Sequence, residues 1–157
     1  MKTLFDLNIS SQSADVVAIP VPWDVTASYH DGAHKGPEAI LKASTQLDLY
    51  HPDFESFIEH GASMLPIDKD LKAKNKDNRE KAKKIITQYD LGKSIDDSEE
   101  LLADLDAVNQ ASEDLNEWVR AAANKVIDEE QMVAVVGGEH GCGLGALQAI
   151  SERFDTK

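Results

Sequence analysis

The stretch Met132-Val133-Ala134-Val135-Val136-Gly137-Gly138-Glu139-His140-Gly141-Cys142-Gly143-Leu144-Gly145-Ala146 decides the fold of this chain. Its first five residues are apolar and mostly β-branched, which reads as a buried strand, Met132–Val136. The glycines that follow punctuate a tight turn. Leu147-Gln148-Ala149-Ile150-Ser151-Glu152-Arg153-Phe154 then reads as a helix. A strand that runs through a glycine-rich turn into a helix is a building unit of open α/β sheets, and such sheets hold ligands at their strand ends. His140 stands in that turn beside the carboxylate of Glu139.

Outward from this unit, the opening segment has the same logic. Val16–Pro20 is short, apolar and stopped by prolines at 20 and 22, as a buried strand would be. A polar loop runs from Trp23 to Lys35, and Pro37 and Glu38 then suit the first turn of a helix. Ala62–Leu65 reads as a second short strand. From Lys69 to Lys93 lysines dominate, which predicts a solvated helical hairpin or a surface insertion. Ser98 to Ile127 is the strongest helix, with Ser98 as N-cap and Glu99 and Glu100 in its first turn. Leu101, Leu105, Val108, Ser112, Leu115, Val119, Ala122 and Val126 alternate at four- and three-residue steps and form one stripe. That stripe packs on a sheet of the same chain or on a coiled-coil partner. Strands alternating with helices imply an α/β fold with a parallel sheet. The expectation is one domain over 1–157, with 68–130 as a charged helical insertion within it. A short parallel sheet also leaves an unpaired edge, so self-association is expected.

The 157 residues suffice for a single core. A net charge of −13 argues against nucleic acid as a partner and favours a cationic small molecule. The single cysteine excludes an internal disulfide and suits a reducing cytosol, so a cytoplasmic location is expected. No apolar run is long enough to span a membrane, and the N-terminus lacks the apolar centre of a signal peptide.

Two readings of the glycine-rich turn compete. Gly141-x-Gly143-x-x-Ala146 satisfies the loose dinucleotide fingerprint between strand and helix, but that motif needs an acidic ribose ligand about twenty residues further on. The other reading centres on His140. An imidazole at the carboxyl end of a parallel strand is a candidate ligand for manganese, nickel or zinc, with Glu139 orienting it or a neighbouring group.

Gly137-Gly138-Glu139-His140 followed by Gly141-x-Gly143-Leu144-Gly145-Ala146 resembles the first metal-ligand motif of the ureohydrolases, the arginase and agmatinase family. Ile19-Pro20-Val21-Pro22-Trp23-Asp24 and Ser28-x-x-x-Gly32-Ala33-x-x-Gly36-Pro37-x-Ala39-Ile40 resemble that family's opening strand, loop and first helix, and Gln46-Leu47-Asp48-Leu49-Tyr50 the segment after it. The resemblance implies a three-layer α/β/α fold with a parallel sheet, arginase-like and incomplete in this chain. It implies a metal-dependent hydrolase of linear amidine or guanidine C–N bonds, agmatinase-like and releasing urea. Two manganese ions, or nickel in some relatives, would activate water for attack on a small cationic guanidino substrate.

By the same resemblance His140 is a metal ligand and Glu139 supports it. His30 and His34, where the family usually has arginines, are polar loop residues near the substrate mouth. A cluster of His30, His34 and His140 is geometrically conceivable, because both loops leave the same sheet edge. Gly141 stands where the family usually has serine, and Cys142 reads as a small packing residue. The family's other ligands come from Asp-x-His-x-Asp and Asp-x-Asp motifs, and neither occurs here. The chain therefore matches the N-terminal half of a ureohydrolase. Alone it is expected to bind manganese no better than a generic histidine and to be inactive. The alternatives are a non-catalytic interaction module that uses the 98–127 helix, and a dinucleotide-binding fragment.

Overall fold

The computed structural model describes residues 3–50, 52–53 and 61–154. His51 and His60, which have no recognisable context, lie outside them. Three parallel strands form one sheet in the order β2-β1-β3: β1 (Val16–Val21), β2 (Ala62–Met64) and β3 (Met132–Gly137). Val16 pairs with Ala62 on one side and with Met132 on the other, and the β1–β3 ladder runs on to Val21 opposite Gly137. The helices are α1 (Gly36–Ala43), α2 (Lys69–Asp90), α3 (Glu99–Asp128) and α4 (Leu144–Phe154).

Side chains alternate across a strand, so successive residues serve opposite faces. Ile19, Val21, Val133 and Val135 pack with Leu115, Val119 and Ala123 of α3 and with Ala146 and Ala149 of α4. Ala18, Ala134 and Val136 meet Leu41 of α1 and Leu4 and Phe5 of the N-terminal segment. Both faces are covered, which makes the three-layer α/β arrangement. Gly145 lets α4 lie directly on α3. A Cβ there would clash with the Asn116 carbonyl oxygen and approach the Arg120 nitrogen to 2.8 Å.

The stripe of α3 is spent on this core. Val108, Leu115, Val119 and Val126 are buried within the chain, so the middle and end of the stripe that the alternative interaction module would use are covered by the chain itself, while Leu101 and Leu105 near its start are only partly covered. The segment after Lys69 also differs from expectation. It is a single 22-residue helix rather than a hairpin, capped by Asp68, whose side chain accepts from the Leu71 amide. Its Leu71, Asn75, Asn78, Arg79, Ala82 and Ile85 are buried. Polar residues thus occupy a core-facing stripe, because the loop after β1 gives Asn75 and Arg79 hydrogen-bond partners and Asn78 donates to the Lys74 carbonyl of its own helix.

β3 is not buried throughout. It lies at the side of the sheet, its residues after Met132 are only partly covered, and Met132 is 67% exposed. No described helix is long and apolar enough to cross a membrane.

Candidate active-site edge

All three strands point the same way, so the loop after β1 and the turn after β3 emerge on one edge. The two segments are joined backbone to backbone. The amide of Gly138 donates to the Val21 carbonyl at 3.2 Å and that of Glu139 to the Trp23 carbonyl at 2.9 Å. These bonds extend the β1–β3 ladder past the last paired residues. Cys142 is buried beneath them, with Sγ 3.5 Å from the Trp23 carbonyl oxygen. Burial pushes its thiol pKa up, which fits an inert packing residue.

His140 opens a short 3-10 turn, His140–Gly143, that leads into α4. Its side chain is exposed and lines a broad depression with Gly137, Gly138 and Leu147. The Glu139 carboxylate is bonded to the loop after β1. Its Oε2 accepts from the Thr26 amide at 3.0 Å and from the Thr26 hydroxyl at 2.9 Å. Burial raises the Glu139 pKa, against the lowering effect of the two Thr26 bonds. What Glu139 orients directly is therefore the β1 loop.

The centre of that loop is Asp24, which is fully buried. Its Oδ2 accepts from the Gly32 amide at 2.9 Å, the His34 amide at 3.2 Å and His34 Nδ1 at 2.8 Å. Its Oδ1 accepts from Asn75 Nδ2 at 3.1 Å, and its own amide donates to Asn75 Oδ1 at 2.7 Å. Gly32 makes the bend possible at a φ of 114°, a backbone region open mainly to glycine. Burial alone would raise the Asp24 pKa. The His34 ring, the two loop amides and Asn75 outweigh it and bring it down to about 2.

His34 is thus tied to Asp24, on the wall of a cleft of about 410 Å³ between this loop and α2. His30 is exposed and leans on Tyr29, with ring centroids 4.3 Å apart. The structure does not gather His30, His34 and His140. Among the described residues no three His, Cys, Asp or Glu side chains converge to hold a metal ion. A dinuclear centre needs several such donors around each ion. The donors present do not fit that requirement by themselves, and His140 contributes a single exposed imidazole to the edge.

Asn75 and Arg79 carry weight that sequence reasoning missed. Arg79 donates from Nη1 to the Val25 carbonyl at 2.8 Å, and from Nε and Nη2 to Asp31 Oδ1 at 2.9 and 2.6 Å. The available signal was their spacing. Residues 71, 75, 78, 82 and 85 follow the four-and-three rhythm of a buried face, and 79, four after 75 and three before 82, lies on the same face, which lysine-rich surroundings concealed.

The model of the arginase family matches residues 14–157. An N(1)-aminopropylagmatine ureohydrolase of Synechocystis sp. is 49% identical over 41 residues, which are 26% of this chain and 13% of that enzyme. Its counterpart from Thermus thermophilus is 51% identical over 39 residues, 25% of this chain and 13% of that enzyme. These alignments thus span well under two thirds of either relative. No solved structure gives a significant match. The family match displaces the dinucleotide reading of the turn, and the parallel sheet with helices on both faces agrees with an incomplete arginase-like fold. With nearly its whole length matched, and with the glycine-rich turn and the β1 loop meeting at one sheet edge, this chain belongs to the arginase family.

Proposed function

We propose that this chain is the part of a ureohydrolase that presents one metal-binding imidazole, His140, at the carboxyl edge of the sheet. The reaction would be hydrolysis of a linear amidine or guanidine C–N bond with release of urea, agmatinase-like in substrate class. The names of the ureohydrolase relatives support that class. The observation that carries the reading is the placement of His140. It is exposed at the edge where β1 and β3 end, in a turn fastened to the β1 loop through Glu139 and Thr26. Manganese, as a pair of ions, is the expected metal, with nickel as the substitute. Bound metal would lower the pKa of water enough to supply hydroxide near neutral pH. The net charge of −13 would attract a cationic guanidino substrate. His34 on the cleft wall, and His30 beyond it, belong to the mouth of that site. A cytoplasmic location accords with the free thiol.

His140 alone cannot organise two ions, so the isolated chain should be inactive. Calorimetric titration with Mn²⁺ is expected to show only weak, histidine-like binding, and assays with guanidino amines to show no urea. A stoichiometric micromolar Mn²⁺ site on this chain would overturn that expectation. Sequencing the coding frame past Lys157 tests the enzyme reading itself. An Asp-x-His-x-Asp motif within about twenty-five residues is expected. A stop codon in its place would leave a non-catalytic role.

A surface reading is favoured by a separate observation. One side of β3 pairs with no strand among the described residues, and beside it Met132, Leu147 and Phe154 are 67%, 65% and 66% exposed. Open strand edges and apolar patches promote association. We propose that the isolated chain self-associates through this face. Size-exclusion chromatography should show dimers or larger species that Leu147→Asp reduces to monomer. A clean wild-type monomer at high concentration would refute the idea.

A further inference from the structure

We propose that Asn75 and Arg79, both on α2, are positioning residues for the His140 turn. This rests on the reading of His140 as a metal ligand, but its physical basis is independent of any metal. Each hydrogen bond from the Asn75 and Arg79 side chains ends on the loop after β1. Asn75 grips Asp24 through both its amide and its carboxylate. Arg79 takes the Val25 carbonyl and the Asp31 carboxylate together. Asp31 is held a second time by Lys83, at 2.7 Å.

Thr26 lies between these anchor points. Its amide and hydroxyl both donate to Glu139, and the Glu139 amide in turn donates to the Trp23 carbonyl. Glu139 is therefore held from the side-chain end by Thr26 and from the backbone end by Trp23. Both belong to the loop that α2 restrains, and His140 is the next residue. Where Asn75 and Arg79 set the loop, they set the turn that carries the imidazole. Arg79 suits this task because its planar fork serves a carbonyl and a carboxylate at once, which an ammonium group cannot do with the same geometry.

The test is amide hydrogen exchange and histidine-ring NMR on the isotopically labelled chain. Arg79→Met should speed exchange of the Gly32 and Glu139 amides by about tenfold or more and shift the His140 ring resonances. The Val119 amide, inside α3, should keep its wild-type rate. Arg79→Lys should give an intermediate effect, since it keeps the charge opposite Asp31 and loses the fork. If Arg79→Met fails to fold, Asp31→Asn reports on the same contact from its more exposed side. Unchanged Glu139 exchange and unchanged His140 resonances in the folded variants would overturn the proposal. Equal acceleration at Val119 would do so too, because it would mean general destabilisation. None of these readouts uses metal or substrate. A failure here is thereby distinct from a failure of the ureohydrolase reading, which the downstream coding frame decides.

Discussion

Asp24→Asn is expected to lower folding stability by about 3–5 kcal/mol, the loss seen when one partner is removed from a buried charged network. The wild-type carboxylate accepts at Oδ2 from Gly32, from the His34 amide and from the His34 ring, and at Oδ1 from Asn75. An asparagine offers one oxygen and one NH₂ group. Whichever way it is turned, its NH₂ faces a donor, and the side is buried, so no water relieves the conflict. The same carboxylate gives the wild type a pH signature. Its pKa is about 2 in the folded state against 3.8 ordinarily. A lowered folded pKa means that its contribution is fully present above the unfolded value and is lost as pH falls through the folded value. The wild type should therefore lose about 2 kcal/mol from this group between roughly pH 4 and pH 2. The Asp24→Asn chain should lack that component. Urea unfolding at neutral pH and across the acid range measures both. A neutral-pH loss below about 1 kcal/mol would show that the network is not the stabilising unit described.

Much of this architecture is legible in the chain itself. The apolar runs Val16–Pro20 and Met132–Val136 mark β1 and β3, each one residue short of the strand that forms, because strands inside a parallel sheet need apolar residues on both faces. The α3 stripe is equally plain, since a long amphipathic face must be buried somewhere. Which partner buries it is a tertiary matter, and here that partner is the sheet together with α4. The extent of β3's burial was not readable, because a β-branched run looks the same at the centre of a sheet and at its side. Nor was the role of α2. Asn75 and Arg79 are buried only because Asp24, Val25 and Asp31 come to meet them, and Asp24 lies 51 positions away from Asn75. Pattern reasoning assigns such polar side chains to solvent, because burial without partners would be costly. The direction of Glu139 was hidden for a simpler reason. Consecutive residues in a tight turn diverge, so proximity to His140 in sequence does not place the carboxylate against the imidazole.

Gly138→Ala is expected to destabilise the chain by about 3 kcal/mol, or about 6–12 °C in Tm for a domain of this size. A Cβ at Gly138 would clash with the Trp23 carbonyl oxygen, and would lie 2.8 Å from the carbon of that carbonyl and 3.1 Å from the His34 nitrogen. All of these are backbone atoms, which cannot swing aside as the tip of a side chain can. The loop after β1 would have to move off the turn. That movement breaks the bonds from Gly138 to Val21 and from Glu139 to Trp23. It also draws Thr26 away from Glu139 and loosens the seat of His140. Gly141 supplies the contrast within the same turn. A Cβ there meets nothing within 4 Å, so Gly141→Ala should stay within about 1 kcal/mol of wild type. Gly141→Ser, the residue that related motifs carry at this position, should be tolerated equally well. Thermal unfolding of the three variants side by side checks the argument. If Gly141→Ala fell as far as Gly138→Ala, the penalty would come from lost backbone freedom in the turn as a whole, and the close approach of the two loops would not be what requires glycine at 138.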